Sequence, residues 1–271
     1  MANLSITAAW NESAEFLKHH FGTLFIVAVA LIALPNVALQ AFGPGTLAPG
    51  ETPQPGLWLL LVPFVLLLGI TGSLTISTLA LGRENVVGDA LRHAFRRLLP
   101  MVGATLIVAV ALCLVIVPLA LVAGIRPEDL TAPTPATAGR LLLVGLVILI
   151  AALFFAVRLM MMTPVGVAEP VGPVAIIARS WRLTSGHFWK LLGFILLIAA
   201  AAIVVGLVTL TLLGLLVMVI AGPPQPGSVS GLLILLVNGL LNAAFVVVMT
   251  TLVARLYLQL AGGPAGATSG S

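Results

Sequence analysis

Six stretches of this chain are apolar almost without interruption, at about 21–41, 57–81, 101–124, 140–163, 191–221 and 231–260. Each is long enough to cross a hydrocarbon core of about 30 Å as a helix, which takes about 20 residues. Three of the stretches between them, 43–56, 125–139 and 222–228, are rich in Pro, Gly or Thr and read as loops. The other polar stretches have a helical texture. In 83–99, Val86, Val87, Ala90, Leu91, Ala94, Phe95, Leu98 and Leu99 alternate at helical spacing with Gly88, Asp89, Arg92, His93, Arg96 and Arg97. One greasy stripe beside one basic stripe predicts a helix lying in the membrane plane. The stretch 173–190 repeats the device. Pro173 suits a first helical turn, and Val174, Ile177, Ala178 and Trp181 follow on one face.

The pattern therefore predicts an all-α integral membrane protein of six transmembrane helices. They form three hairpins, each preceded by an interfacial amphipathic helix, at 10–21, 86–99 and 177–190. Gly22 aligns with Gly103, and the run IVAVAL occurs at both 26–31 and 107–112, which suggests an internal repeat. Residues 1–261 form one membrane domain, and 262–271 hold too little apolar surface to order themselves. Glu12 and Glu15 precede a first apolar run longer than a signal-peptide core, so the first span reads as a retained anchor.

Composition agrees with the pattern. The chain is 61% hydrophobic and only 7% charged, with a mean hydropathy of +1.23, which excludes a water-soluble domain. The single cysteine, Cys113, excludes disulfides and cysteine metal sites within one chain. Charge adds the orientation. Lys18, Arg83, Arg92, Arg96, Arg97, Arg158, Arg179, Arg182, Lys190 and Arg255 fall on the side of the termini, and Arg126 and Arg140 fall opposite. Both termini are expected in the cytoplasm. Arg92, Arg96, Arg97, Arg179, Arg182 and Lys190 then form a cytoplasmic belt for anionic lipid or a protein partner, and nothing in the pattern points to nucleic acid.

The residues from 158 to 193 carry a resemblance. Arg158, Pro164, Glu169 and Pro173, followed by Ser180, Trp181, Leu183, Thr184, Gly186, Phe188, Trp189 and Lys190, resemble the membrane domain attached to some bacterial glycerophosphodiester phosphodiesterases. The same pattern occurs in stand-alone six-helix membrane proteins. The resemblance implies a six-helix fold in a bacterial cytoplasmic (inner) membrane and a connection to glycerophospholipid metabolism. Catalysis in the two-domain members belongs to a separate soluble barrel, for which these residues leave no room, so the resemblance carries no activity to this chain.

Other chemistry is sparse. His19, His20, His93 and His187 stand in no metal-binding spacing, and neither a GxSxG nor a GxxxxGK run occurs, so no catalytic, cofactor or metal residue is assigned. Asn238 and Asn242 share a helix face, and Asn36 follows Pro35 in the first span; they read as a polar pathway or as hydrogen-bonding glue between helices. Gly69, Ser73 and Ser77 form a small-residue face for close packing. Arg158 lies deep enough in the fourth span to need help, and Glu169 is the acid nearest to it beyond the span end, so an Arg158–Glu169 ion pair is expected. The competing arrangement has Glu169 on Arg179 or Arg182. A non-catalytic structural or lipid-binding module is the leading function, with a transporter or lipid-moving protein as the alternative. A polar cavity reaching the midplane would favour the second, and a close-packed interior the first.

Overall fold

The computed structural model describes residues 5–43, 56, 58–126, 129, 134–222 and 228–262, and among them all regular structure is helical. The helices are α1 (Ile6–Phe42), α2 (Trp58–Ala80), α3 (Val87–Val122), α4 (Pro135–Leu159), α5 (Met162–Ala168), α6 (Pro173–Ser185), α7 (Phe188–Ala221) and α8 (Val229–Leu260). Six helical stretches are long and apolar enough to cross a membrane, with α4 and α5 together forming the fourth. The chain is a multi-pass membrane protein. Much of 43–56, 125–139 and 222–228 lies outside the described residues, as does almost all of the expected disordered tail at 262–271.

Side-chain caps start several helices where the sequence leaves the loops. Ser5 Oγ accepts from the Ala8 amide, Ser228 Oγ accepts from Gly231, and Thr134 with Thr137 makes a reciprocal capping box. Gly222 ends α7 at φ 82°, a left-handed conformation suited to glycine. Within α1 a π-helical turn, Val29–Ala33, ends two residues before Pro35, whose missing N–H already interrupts the ladder there.

Two of the three expected interfacial helices are not separate elements. The polar stretch before the first span continues straight into it as α1, and 86–99 continues into the third span as α3, with Pro100 inside the helix. The reason is a buried stripe that runs across each junction. Ala90, Ala94, Met101 and Ala104 are buried along one side of α3, and Ala9, Ser13, Leu24 and Val27 along one side of α1. Small residues at the lower end of each stripe pack on neighbouring helices, so one side of these amphipathic turns is held against protein. Only the third is a separate element: α6 ends at Gly186, and α7 begins after His187.

Helices α1 and α8, α2 and α3, and α7 and α8 pack along one another, and α2 also packs on α8. The third and fourth spans differ. Helices α3 and α4 barely touch, which leaves an apolar crevice of about 320 Å³ between Leu112, Val115 and Ile116 on one side and Val147, Ile148 and Ala151 on the other. Buried side chains gather in two places. Leu74, Met101, Val157, Met161, Val165, Ile176, Leu191, Leu252 and Leu256 fill the end that carries the cations, and Leu24, Ala28, Ile32, Ile76, Ala243 and Val247 join α1, α2 and α8.

Glycines set the closest approaches. A Cβ on Gly239 would come within 2.7 Å of Val37 Cγ2, and one on Gly72 within 2.9 Å of Ile32 Cγ1. The small-residue face expected at Gly69 is thus displaced, since a Cβ on Gly69 would meet nothing within 4 Å. The aligned glycines of the suggested repeat also part company. A Cβ on Gly103 would come within 2.9 Å of Pro173 Cγ, whereas one on Gly22 would meet nothing within 4 Å.

Candidate functional site

The polar contacts that join distant parts of the chain cluster at one end of the bundle, called here the basic end. It is formed by the start of α1, the α2–α3 junction, the end of α4, helices α5 and α6, the start of α7 and the end of α8. Ser5 N donates to Gln259 Oε1 at 3.3 Å, which ties the start of α1 to the end of α8.

The centre of the site is the short helix α5. Its last carbonyls have no partner within so short a helix and must find one elsewhere. Glu169 N donates to Val165 O at 2.9 Å. Two of the others are met from the α2–α3 region: an Arg83 guanidinium nitrogen donates to Ala168 O, and His93 Nε2 lies 3.2 Å from Val167 O. A cation at a helix C-terminus also complements the helix dipole.

Glu169 follows directly, and its partner is not Arg158. Arg179 Nε and Tyr257 Oη each donate to Glu169 Oε1 at 3.0 Å, so the carboxylate links α6 and α8 to the end of α5. The expected Arg158–Glu169 ion pair is corrected on this geometry. Helix α6 sets off from Pro173 so that Ile176, Ser180 and Thr184 are buried, and Arg179, one residue from that stripe, reaches back to Glu169.

Arg158 is stabilised differently. Its guanidinium carbon lies 5.4 Å from the Phe154 ring centre, 5.1 Å from Trp181 and 5.3 Å from Phe188. Nε and Nη1 are buried and have no hydrogen-bond partner among the described residues. Three aromatic faces compensate for part of the lost hydration, each cation–π contact contributing about 0.5–2 kcal/mol. Ser180 Oγ donates to the Arg158 carbonyl at 2.7 Å, fixing α6 against the end of α4. Arg255 repeats the arrangement on α8, with its guanidinium 4.9 Å from the Phe16 ring on α1.

The residues of the 158–193 pattern thus have distinct places. Thr184 is buried and donates to Ser180 O at 3.0 Å, Leu183 packs on the core, Gly186 closes α6, and Trp189 is exposed. Of the six belt cations, Arg179 is engaged by Glu169. The side chains of Arg92, Arg96, Arg97, Arg182 and Lys190 make no hydrogen bond or ion pair with another described residue, and all but Arg97 are exposed. Exposed apolar side chains lie on the same elements: Phe95 and Leu99 on α3, Trp189 on α7. Sequence reasoning had not singled out Arg83, His93 or Tyr257 as site residues. Tyr257 is the one tyrosine in the chain and stands at the basic end, which is the signal that could have marked it.

The intramembrane asparagines separate. Asn36 Nδ2 donates to Ile32 O at 2.8 Å, within its own helix, whereas Asn238 and Asn242 line a groove between α1, α7 and α8. No group of three or more His, Cys, Asp or Glu residues that could hold a metal ion occurs among the described residues.

No curated protein and no solved structure matches the chain. One protein family does, over residues 21–260, and that match covers every span and the whole polar cluster around α5. The chain belongs to that family, which is described as a domain of unknown function (DUF7847).

Proposed function

We propose that the chain is a non-catalytic membrane module whose basic end holds anionic phospholipid headgroups of the cytoplasmic leaflet. The observation that carries this reading is that the side chains of Arg92, Arg96, Arg97, Arg182 and Lys190 have no partner among the described residues and lie beside exposed Phe95, Leu99 and Trp189. Cations with no protein counter-charge, next to side chains suited to the interfacial region, match a surface of phosphate over hydrocarbon. The polar lock around Glu169 gives that surface a fixed shape, because it joins α5, α6 and α8 while Arg83 and His93 secure α5 to the α2–α3 junction. The resemblance to glycerophosphodiester phosphodiesterase membrane domains accords with a role beside glycerophospholipid metabolism.

The interior supports this reading over transport. Buried Thr71, Thr75 and Thr78 on α2 each donate to a carbonyl of their own helix at 2.8 Å, and no charged residue lines the groove that reaches Asn238 and Asn242. Changing the five unpaired cations to Gln should lower the anionic phospholipid that co-purifies at least severalfold, since each contributes about 1 kcal/mol near a charged leaflet. Raising salt should have the same effect on the wild type. Unchanged lipid in both experiments would mean that the cations serve a protein partner or membrane orientation alone.

Orientation has its own test. Reporter fusions at Ser271 and within 43–56 should report opposite sides of the membrane, with Ser271 cytoplasmic. The same side for both would contradict six spans.

A further inference from the structure

Between α1, α7 and α8 runs a groove of about 470 Å³. It is lined by apolar side chains apart from Asn238 and Asn242 of α8. Both carboxamides are exposed, and neither makes a hydrogen bond with another described residue. Asn36 shows the usual alternative, since it bonds the carbonyl one turn back in its own helix. The unpartnered amides lie at depth. They stand nine and thirteen residues beyond Val229, where α8 begins, or about 14 and 20 Å along the helix, which flanks the middle of a hydrocarbon core about 30 Å thick. Their side chains are too short to reach either interface, and acyl chains offer no donor or acceptor, so leaving them against lipid is unfavourable.

We propose that this groove is a self-association surface, on which Asn238 and Asn242 of one copy hydrogen-bond the same residues of a second copy. The argument is electrostatic self-complementarity. A carboxamide carries both donor and acceptor, so two copies related by a two-fold axis along the membrane normal present matching pairs at matching depth, and the contact closes as a dimer. No charge lines the groove, so an anionic headgroup would find no counter-charge there. The groove also leaves room for a neighbouring helix. Ala202 and Gly206 line it at helical spacing, and a Cβ on Gly206 would meet nothing within 4 Å. Trp10, at the start of α1, is the lining residue nearest the basic end; the two asparagines lie away from it, and the inference does not depend on the proposed lipid binding.

The test uses the full chain in native membranes, with Cys113→Ala removing the exposed native thiol. Phe245→Cys lines the groove, and Leu143→Cys, exposed on α4 away from it, is the control. A short bifunctional thiol reagent should give a cross-linked dimer from Phe245→Cys and none above background from Leu143→Cys. Adding Asn238→Leu and Asn242→Leu should reduce the Phe245→Cys product about tenfold, the loss expected for a few interhelical amide bonds. Photobleaching of single wild-type particles extracted with their native lipid provides a readout that needs no variant, and it should show two steps. A single step in the wild type, or cross-linking unaffected by the two leucines, overturns the proposal. So does a monomer that retains a neutral lipid only when both asparagines are present, because the groove would then be a ligand site.

Discussion

Glu169→Ala should weaken the basic end more than any other single removal of a polar group there. The variant deletes the acceptor shared by Arg179 Nε and Tyr257 Oη, two hydrogen bonds of 3.0 Å that reach α6 and α8. Hydrogen bonds to a charged group contribute about 1.5–3 kcal/mol each when buried. The side chains of Arg179 and Glu169 are 35% and 26% exposed, so solvent screening reduces the ion-pair share, and a total loss of about 2 kcal/mol is expected. Denaturant titration in mixed micelles is the measurement. Arg179→Gln, which leaves Tyr257 on the carboxylate, should cost roughly half as much. Equal stability of Glu169→Ala and wild type would remove Glu169 from the centre of the site.

Gly239→Ala should be comparably harmful for a different reason. The added Cβ would lie 2.7 Å from Val37 Cγ2, and Val37 is buried in α1 with a short branched side chain that is stiff at χ1. Overpacking of this kind costs about 1–3 kcal/mol, and because α1 and α8 pack along one another the strain can be relieved only by separating them. Val37→Ala removes the clashing atom, so the double variant should recover most of the loss. If Val37→Ala and Gly239→Ala add instead of compensating, the close approach of α1 and α8 is wrong at this depth.

The spans were legible because runs of about 20 apolar residues have few alternatives. Where α1 and α3 begin was not. A helix lying on lipid and a helix packed on protein show the same 3.6-residue alternation, and the alternation in 83–99 does not say which surface meets Ala90 and Ala94. The partner of Glu169 was hidden for a similar reason. Arg158, Arg179 and Arg182 are all within chain reach, and only the direction that α6 takes after Pro173 selects Arg179. Tyr257 is 88 residues away in sequence, so no local pattern could bring it to the carboxylate. Arg158 is instructive in the other direction. Its depth in the span did signal a need for compensation, but the compensation comes from Phe154, Trp181 and Phe188, whose rings only the packing of α4, α6 and α7 brings around the guanidinium.

The central claim is that the unpaired cations of the basic end hold anionic lipid. Native mass spectrometry of gently extracted protein tests it most directly, with phosphatidylglycerol and phosphatidylcholine offered together at equal concentration. The wild type should retain phosphatidylglycerol in preference to phosphatidylcholine, and the variant with Arg92, Arg96, Arg97, Arg182 and Lys190 all changed to Gln should lose that preference while keeping its fold. Equal retention of the two lipids by the wild type, or an unchanged preference in the variant, would contradict the account.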